Sequence, residues 1–351
     1  MKVIVKDNFL NVRAGKASVN APCYQYIAPG SEIEVDGQLY KGDLFDGIET
    51  WMKDAAGNYY WSGGFNNIIA HQEKLKSDFQ AFLNSAFDGE KLKSPINYSS
   101  FLEIGESVKS MAGKDVMIGI LDHPISLSIN STNNIMRPFH IGEPLFNFHA
   151  NFIAGLIGGS NGITGIANKC KLIELPIYNA RANSSGIDIE AVLKFANDSA
   201  DPMIINISNS LDSRYNDIIK NFKQNKIVVA CAGIDNELAS AKVRDPASQP
   251  NVITVGAINT PRGLLPALNP KIDFVIPNYN YVSFGRSNEQ FAKEQGDSFS
   301  CAVVTAVIAL LISSGKTGYD INTIKNELKK ISLPFSDAAS FNTFNIINTK
   351  S

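Results

Sequence analysis

Short apolar runs recur along residues 116–276, and they limit the fold more than any other feature of the chain. VMIGIL (116–121), KLIELPI (171–177), PMIINIS (202–208), KIVVACA (226–232), NVITVGA (251–257) and KIDFVI (271–276) are each almost unbroken. A strand with one wet face alternates apolar and polar residues, whereas a strand covered on both faces does not. Helix-prone stretches lie between several runs, near 187–197 and 213–223, and two more helices are expected at 299–314 and 320–331. Strands alternating with helices predict an α/β fold, a mostly parallel sheet with helices on both faces. Such sheets bind ligands at the carboxyl ends of their strands, so the polar residues that close each run are the candidates for chemistry.

Residues 1–70 read differently. MKVIV alternates, and LNVRAG, APGSEIEV and AAGNYYWSGG set Gly and Pro between β-formers at short intervals, which suits a small all-β barrel. Residues 71–95 are polar and helix-prone up to Pro95 and read as a linker carrying a helix; 96–351 form the α/β domain. A net charge of -2 implies no pull toward nucleic acid or anionic lipid. The apolar run Ala302–Ile312 falls short of the roughly 20 residues that span a membrane. No signal peptide is visible in MKVIVKDNFLNVR, so the chain is expected in the cytoplasm or exported with a leader absent from this chain. The four cysteines, Cys23, Cys170, Cys231 and Cys301, lack metal-ligand spacing and are expected as free thiols, three of them buried.

GDSFSCAVVTAVIALL (296–311) sets Ser298 at the mouth of a helix built for burial. A serine there caps the helix or acts as a nucleophile, and the second role needs a base. The chain has four histidines. His71 lies in the linker, His140 follows a Pro-containing loop, and His123 directly follows an acid, where strand neighbours point apart. His149 opens the amphipathic helix 148–158, in which Ala154 and Gly155 permit close packing, and is the expected base. Asp122 closes the first buried strand, and as orienter it would accept the Nδ1 proton of His149.

Asp122, His149 and Ser298 follow the Asp…His…Ser order of subtilisin-like serine proteases, and their surroundings resemble that family. VMIGILD is similar to its strand closing on the acid, and HANFIAG (149–155) to its H-G-T-H-V-A-G. GITGIANKCKLIELPIY (162–178), IINIS (204–208) and DPASQPNVITVGAIN (245–259) are similar to further family segments in the same order, as is GDSFSCAVVTAVIALL to G-T-S-M-A-S-P-H-V-A-G-A-A-A-L-L. The resemblance covers about residues 95–348. It implies a subtilisin-like fold and an endopeptidase acting on peptide or protein substrates. Ser298 would attack the carbonyl, His149 would move the proton, and the backbone N–H of Ser298 would be one oxyanion donor. No metal or cofactor is expected in the chemistry. Family members often carry structural calcium, and no acidic loop here identifies a site for it.

The chain departs from the family at several points. The second oxyanion donor should be an Asn directly after A-G; ACAGIDN puts Ile234 there, so either Asn236, two residues further on, reaches in as the loop shifts, or the enzyme is slow or needs rearrangement on activation. Asp297 stands where Thr usually precedes the serine. Ser208, Asn209 and Ser210 replace S-L-G along the first specificity pocket and are candidate substrate contacts. The alternative is therefore a catalytically impaired subtilisin-fold protein that serves as a peptide- or cell-wall-binding module. At the front, L-N-V-R-x-G (10–15), the Gly-led strand at 30–35, Trp51 and the closing strand near Tyr60 and Trp61 resemble a bacterial SH3 domain, which implies cell-wall peptides as further partners.

Overall fold

The computed structural model describes residues 2–6, 8–36, 40–65, 79–89, 91–102, 104–127, 132, 135–139, 148–178, 187–233, 243–258, 271–277, 279–287, 290–336 and 343–347. Among them, nine strands form one central sheet. Numbered within that sheet, β1 is Met117–Asp122, β2 Ile135–Met136, β3 Lys171–Pro176, β4 Met203–Ile207, β5 Lys226–Cys231, β6 Val252–Ile258, β7 Phe274–Pro277, β8 Ser332–Ser336 and β9 Thr343–Ile347. Their order across the sheet is β2-β3-β1-β4-β5-β6-β7-β9-β8. Every pairing is parallel except the β8–β9 hairpin at one edge. The six expected runs are β1 and β3 to β7. The register aligns Asp122 with Pro176 and Ile207 with Ala230, so Asp122, Ser208 and Cys231 lie along one carboxyl edge.

Both faces of the sheet are covered, which is why its strands read as continuous apolar runs. Ile118, Ile120, Ile204, Val229 and Ile253 point into one core; Leu121, Ile205, Ile207, Val228 and Val252 point into the other. The first core receives helices α1 (Phe148–Gly158) and α4 (Asp297–Ser313). The second receives α2 (Ile189–Asp198) and α3 (Asn216–Lys220). A final helix, α5, spans Ile321–Lys330. The helix expected at 213–223 is shorter, a 3-10 turn at Ser213–Tyr215 followed by α3. Helix α4 is buried at every position from Phe299 to Leu311, as a helix apolar all round must be.

The front of the chain folds into short antiparallel strands. Five form a sheet in the order Cys23–Ile27, Leu10–Ala14, Asn58–Trp61, Ile48–Lys53 and Tyr40–Phe45, and Lys2–Ile4 pairs with Glu32–Glu34. Val5, Leu10, Met52 and Phe65 make its core, and Trp51 is also buried, its indole N–H donating to the Asp43 carbonyl at 3.1 Å. The helix at 79–86 is packed into the first core of the α/β body through Phe79, Leu83 and Ala86. Phe79 meets the Tyr279 ring edge-on at 4.7 Å, and the Gln80 side chain accepts the Asn280 backbone N–H at 2.9 Å. Among the described residues no helix is long and apolar enough to cross a membrane. All four cysteines are free thiols, and Cys170, Cys231 and Cys301 are buried.

Candidate active site

Strand β1 ends on Asp122, which is completely buried. One carboxylate oxygen, Oδ2, lies 2.8 Å from His149 Nδ1. The other, Oδ1, accepts the His123 backbone N–H at 2.6 Å and lies 2.9 Å from His123 Nδ1. Burial alone would raise the pKa of this carboxyl. The His149 charge and the hydrogen bonds from His123 and His149 outweigh burial and hold the pKa at about 2. An ionised carboxylate only accepts, so both Nδ1 atoms carry protons, and in the neutral form of His149 the lone pair is on Nε2. Burial pushes the His149 pKa down, but the Asp122 charge and hydrogen bond, with Glu294 and Asp297 adding to them, leave it raised above 6.5.

The segment after Asp122 is held at several backbone atoms. Ile125 N–H donates to the buried Glu174 carboxylate at 2.6 Å, and Arg137 donates to the Leu127 carbonyl at 2.6 Å. Asn151, one turn into α1 and completely buried, accepts from Ser126 N–H at 2.8 Å and donates to the Gly285 carbonyl at 2.9 Å. Helix α1 itself lies against the strand Tyr281–Phe284. A Cβ at Gly155 would fall 2.2 Å from Ser283 Oγ and 2.6 Å from the Phe284 ring, so only glycine permits this approach. These contacts fix the spacing between Asp122 and His149.

Ser298 is the second residue of α4. Gly296 precedes the helix at φ +143°, a conformation that favours glycine. The Ser298 hydroxyl donates to the Ser208 carbonyl at 2.9 Å, and the Ser208 hydroxyl donates back to the Ser298 carbonyl at 2.8 Å. Below this pair, buried Asn206 donates to Ser208 Oγ at 2.9 Å and accepts from Thr305 at 2.9 Å. The Phe299 ring packs 5.6 Å from the His149 ring, which sets the first turn of α4 against the imidazole. The Asp297 carboxylate accepts Gly233 N–H at 2.6 Å and so is anchored to the chain after β5.

Asp122 and His149 are thus in direct contact, with the Ser298 turn packed beside them. His123 differs from expectation. Strand alternation stops at Asp122, the chain bends, and the His123 ring folds back onto the same carboxylate, stacked on Tyr178 at 4.1 Å and 15°. Ser208 is buried and its hydroxyl is engaged in the interior, while Asn209 is half-buried and Ser210 exposed. Cys231 was legible only as a buried thiol. It lies within hydrogen-bond reach of Ser298, and burial and the Asp297 charge push its pKa well up against that bond. Ile234, Asn236, His71 and His140 lie outside the described residues.

Residues 113–340 match the family described as the subtilase family, Peptidase S8. The chain belongs to the subtilase family. This subtilase is 27% identical over 190 residues to a cuticle-degrading serine protease of Arthrobotrys oligospora, covering 52% of this chain and 46% of that one. It is 28% identical over 184 residues to subtilisin-like protease 3 of Pseudogymnoascus destructans, covering 48% and 44%. The chain spans about half the length of the curated relatives it matches. Among solved structures, a cold adapted subtilisin-like serine proteinase superposes with a TM-score of 0.57 at 17% identity, over 77% of this chain and 98% of that one. The prenylagaramide maturation protease PagA superposes with a TM-score of 0.54 at 21% identity, over 67% and 91%. At these identities the solved structures establish a shared fold.

Proposed function

We propose that this subtilase is a serine endopeptidase that hydrolyses peptide bonds through Asp122, His149 and Ser298. The observation that carries the reading is the 2.8 Å contact between a buried, ionised Asp122 and His149, with the nucleophile turn against the imidazole. Ser298 Oγ attacks the scissile carbonyl while His149 Nε2 takes its proton; Asp122 holds the tautomer and stabilises the imidazolium. His149 then protonates the leaving amine, and water attacks the acyl-enzyme by the same route in reverse. The oxyanion is met by Ser298 N–H, one of the unpaired amides of a helix N-terminus. The second donor is atypical, because Ile234, at the position of the family's Asn, offers no side-chain donor. Three side chains and water suffice, with no metal or cofactor in the chemistry.

A fluorophosphonate probe tests this reading. Labelling of the intact chain at Ser298, and its loss in Ser298→Ala, is expected. A second reading, an impaired protein that binds peptides without cutting, draws support from the Ser298 hydroxyl, which donates to Ser208 in the resting state. Folded protein that never labels would favour it, although resting sites often tighten only with substrate.

The front region is proposed as an SH3-like module that binds cell-wall peptides. A cavity of about 610 Å³ opens there, lined among others by Lys6, Phe9, Arg13, Phe45 and Trp61, an aromatic cleft flanked by cations. Binding of the intact chain to cell-wall peptide, weakened by Phe9→Ala, tests this part separately.

A further inference from the structure

We infer that Asp122, His123 and His149 also form a transition-metal site, suited by its donors to Zn²⁺, and that occupation of this site switches the peptidase off. The switching rests on the reading of His149 as the base; the site itself does not.

Acyl transfer needs one imidazole on Asp122, yet the carboxylate carries two. His123 Nδ1 and His149 Nδ1 lie 2.9 and 2.8 Å from its two oxygens. One ligand atom from each of the three residues falls within 4.8 Å of the others. Zinc bonds of about 2.0–2.2 Å in a tetrahedron hold their donors about 3.3–3.5 Å apart. The most widely separated of these atoms therefore need to converge by about 1.5 Å at most to share one ion. Two imidazoles and a carboxylate, with a fourth position left for water, are a recurrent zinc donor set.

Access and charge agree with this. Asp122 forms a buried floor, while the His123 and His149 side chains each keep 23% of their exposure. A small ion entering between the rings needs no opening of the core. Asp297 and Glu294 both act on His149 electrostatically and add negative potential at the same place. His123 is preorganised by its stack on Tyr178, so little side-chain freedom is lost on binding.

The proton balance explains the switch. Zn²⁺ takes the Nδ1 lone pairs of both rings, and the single proton of each neutral ring moves by way of water from Nδ1 to Nε2, with no net release. Each neutral ring keeps one proton, which in His149 must then sit on Nε2. That nitrogen no longer has a lone pair with which to accept the Ser298 proton, so the base is lost until the ion leaves.

The site is tested apart from activity by titrating ZnCl₂ into the intact Ser298→Ala chain in a calorimeter. One ion per chain is expected, with affinity reduced at least tenfold by His123→Phe, which keeps a ring against Tyr178. Cobalt(II) added to the unmutated chain should give the visible absorption of tetrahedral imidazole ligation, a readout that does not depend on a variant folding. In the active chain, saturating zinc should slow fluorophosphonate labelling at least tenfold and EDTA should restore it. The His123→Phe labelling rate, compared with its own zinc-free value, should not respond to the same zinc. Absence of binding by Ser298→Ala and of cobalt absorption, or zinc affinity indifferent to His123, overturns the site. Binding through His123 with no effect on labelling overturns the switch. A chain that never labels yet binds zinc through His123 supports the site and sinks the peptidase reading instead.

Discussion

Ser298 and Ser208 hydrogen-bond each other twice, hydroxyl to carbonyl in both directions, at 2.9 and 2.8 Å. The pair ties the first turn of α4 to the carboxyl end of β4, and Asn206 and Thr305 continue the tie into the core. Ser208→Ala leaves the Ser298 carbonyl and an Asn206 N–H without their partner. A loss of about 1–2 kcal/mol in stability is expected. Steady-state kinetics should show kcat falling on the order of tenfold with KM little changed, since a loosened nucleophile affects chemistry more than binding. An unchanged kcat would mean that the tie does not position the nucleophile.

Asp122→Asn keeps the shape of the orienter and removes its charge. The amide cannot accept from His149 and both His123 donors as the carboxylate does. Loss of kcat/KM on the order of 10⁴ is expected, because the wrong imidazole tautomer is no longer excluded. Measured with a chromogenic peptide, a loss below about tenfold would remove Asp122 from the mechanism.

The pH profile follows from His149. Its pKa is raised, and the base works only when neutral. The acid limb of kcat/KM should therefore have its midpoint above 6.5, and the limb should vanish from labelling rates in His149→Ala. Stability runs the other way. A raised native pKa contributes stability in full below the unfolded value and loses it as pH rises through the native one. Asp122, lowered to about 2, contributes above its ordinary value of 3.8 and loses that contribution as pH falls toward 2. An acid-limb midpoint at or below 6.5 would contradict this account.

Gly155→Ala tests the approach of α1 to its neighbouring strand. The added methyl would lie 2.2 Å from Ser283 Oγ, inside a packed layer. Overpacking of this kind costs about 1–3 kcal/mol, readable from the midpoint of urea unfolding. Activity should fall with it, because α1 carries His149. Full activity in a destabilised protein would show that the helix moves without disturbing the imidazole.

The strands of the central sheet were legible because burial on both faces leaves an unbroken apolar run. Asp122, His149 and Ser298 were legible because each closes or opens a strongly apolar element. The place of His123 is not legible, because the two-residue alternation of the strand ends at Asp122, one position before it. Glu174, Arg137 and Asn151 were not legible. Each is a single polar residue whose partner lies far along the chain, and no local pattern announces such a pairing. The helix at 79–86 carried its signal in plain form: Phe79, Phe82, Leu83 and Ala86 follow helical spacing, but the charged residues before them gave the stretch the look of a tether.

Phe79, Leu83 and Ala86 sit inside the body that holds the site, and Gln80 stitches the same helix to Asn280. A shortened protein beginning at residue 96 would lay bare an apolar scar one helix wide beside the aromatic cluster of Tyr98, Tyr279 and Tyr281. The smallest fragment of this chain that keeps its α/β core covered must therefore retain a segment that precedes the first strand of the sheet.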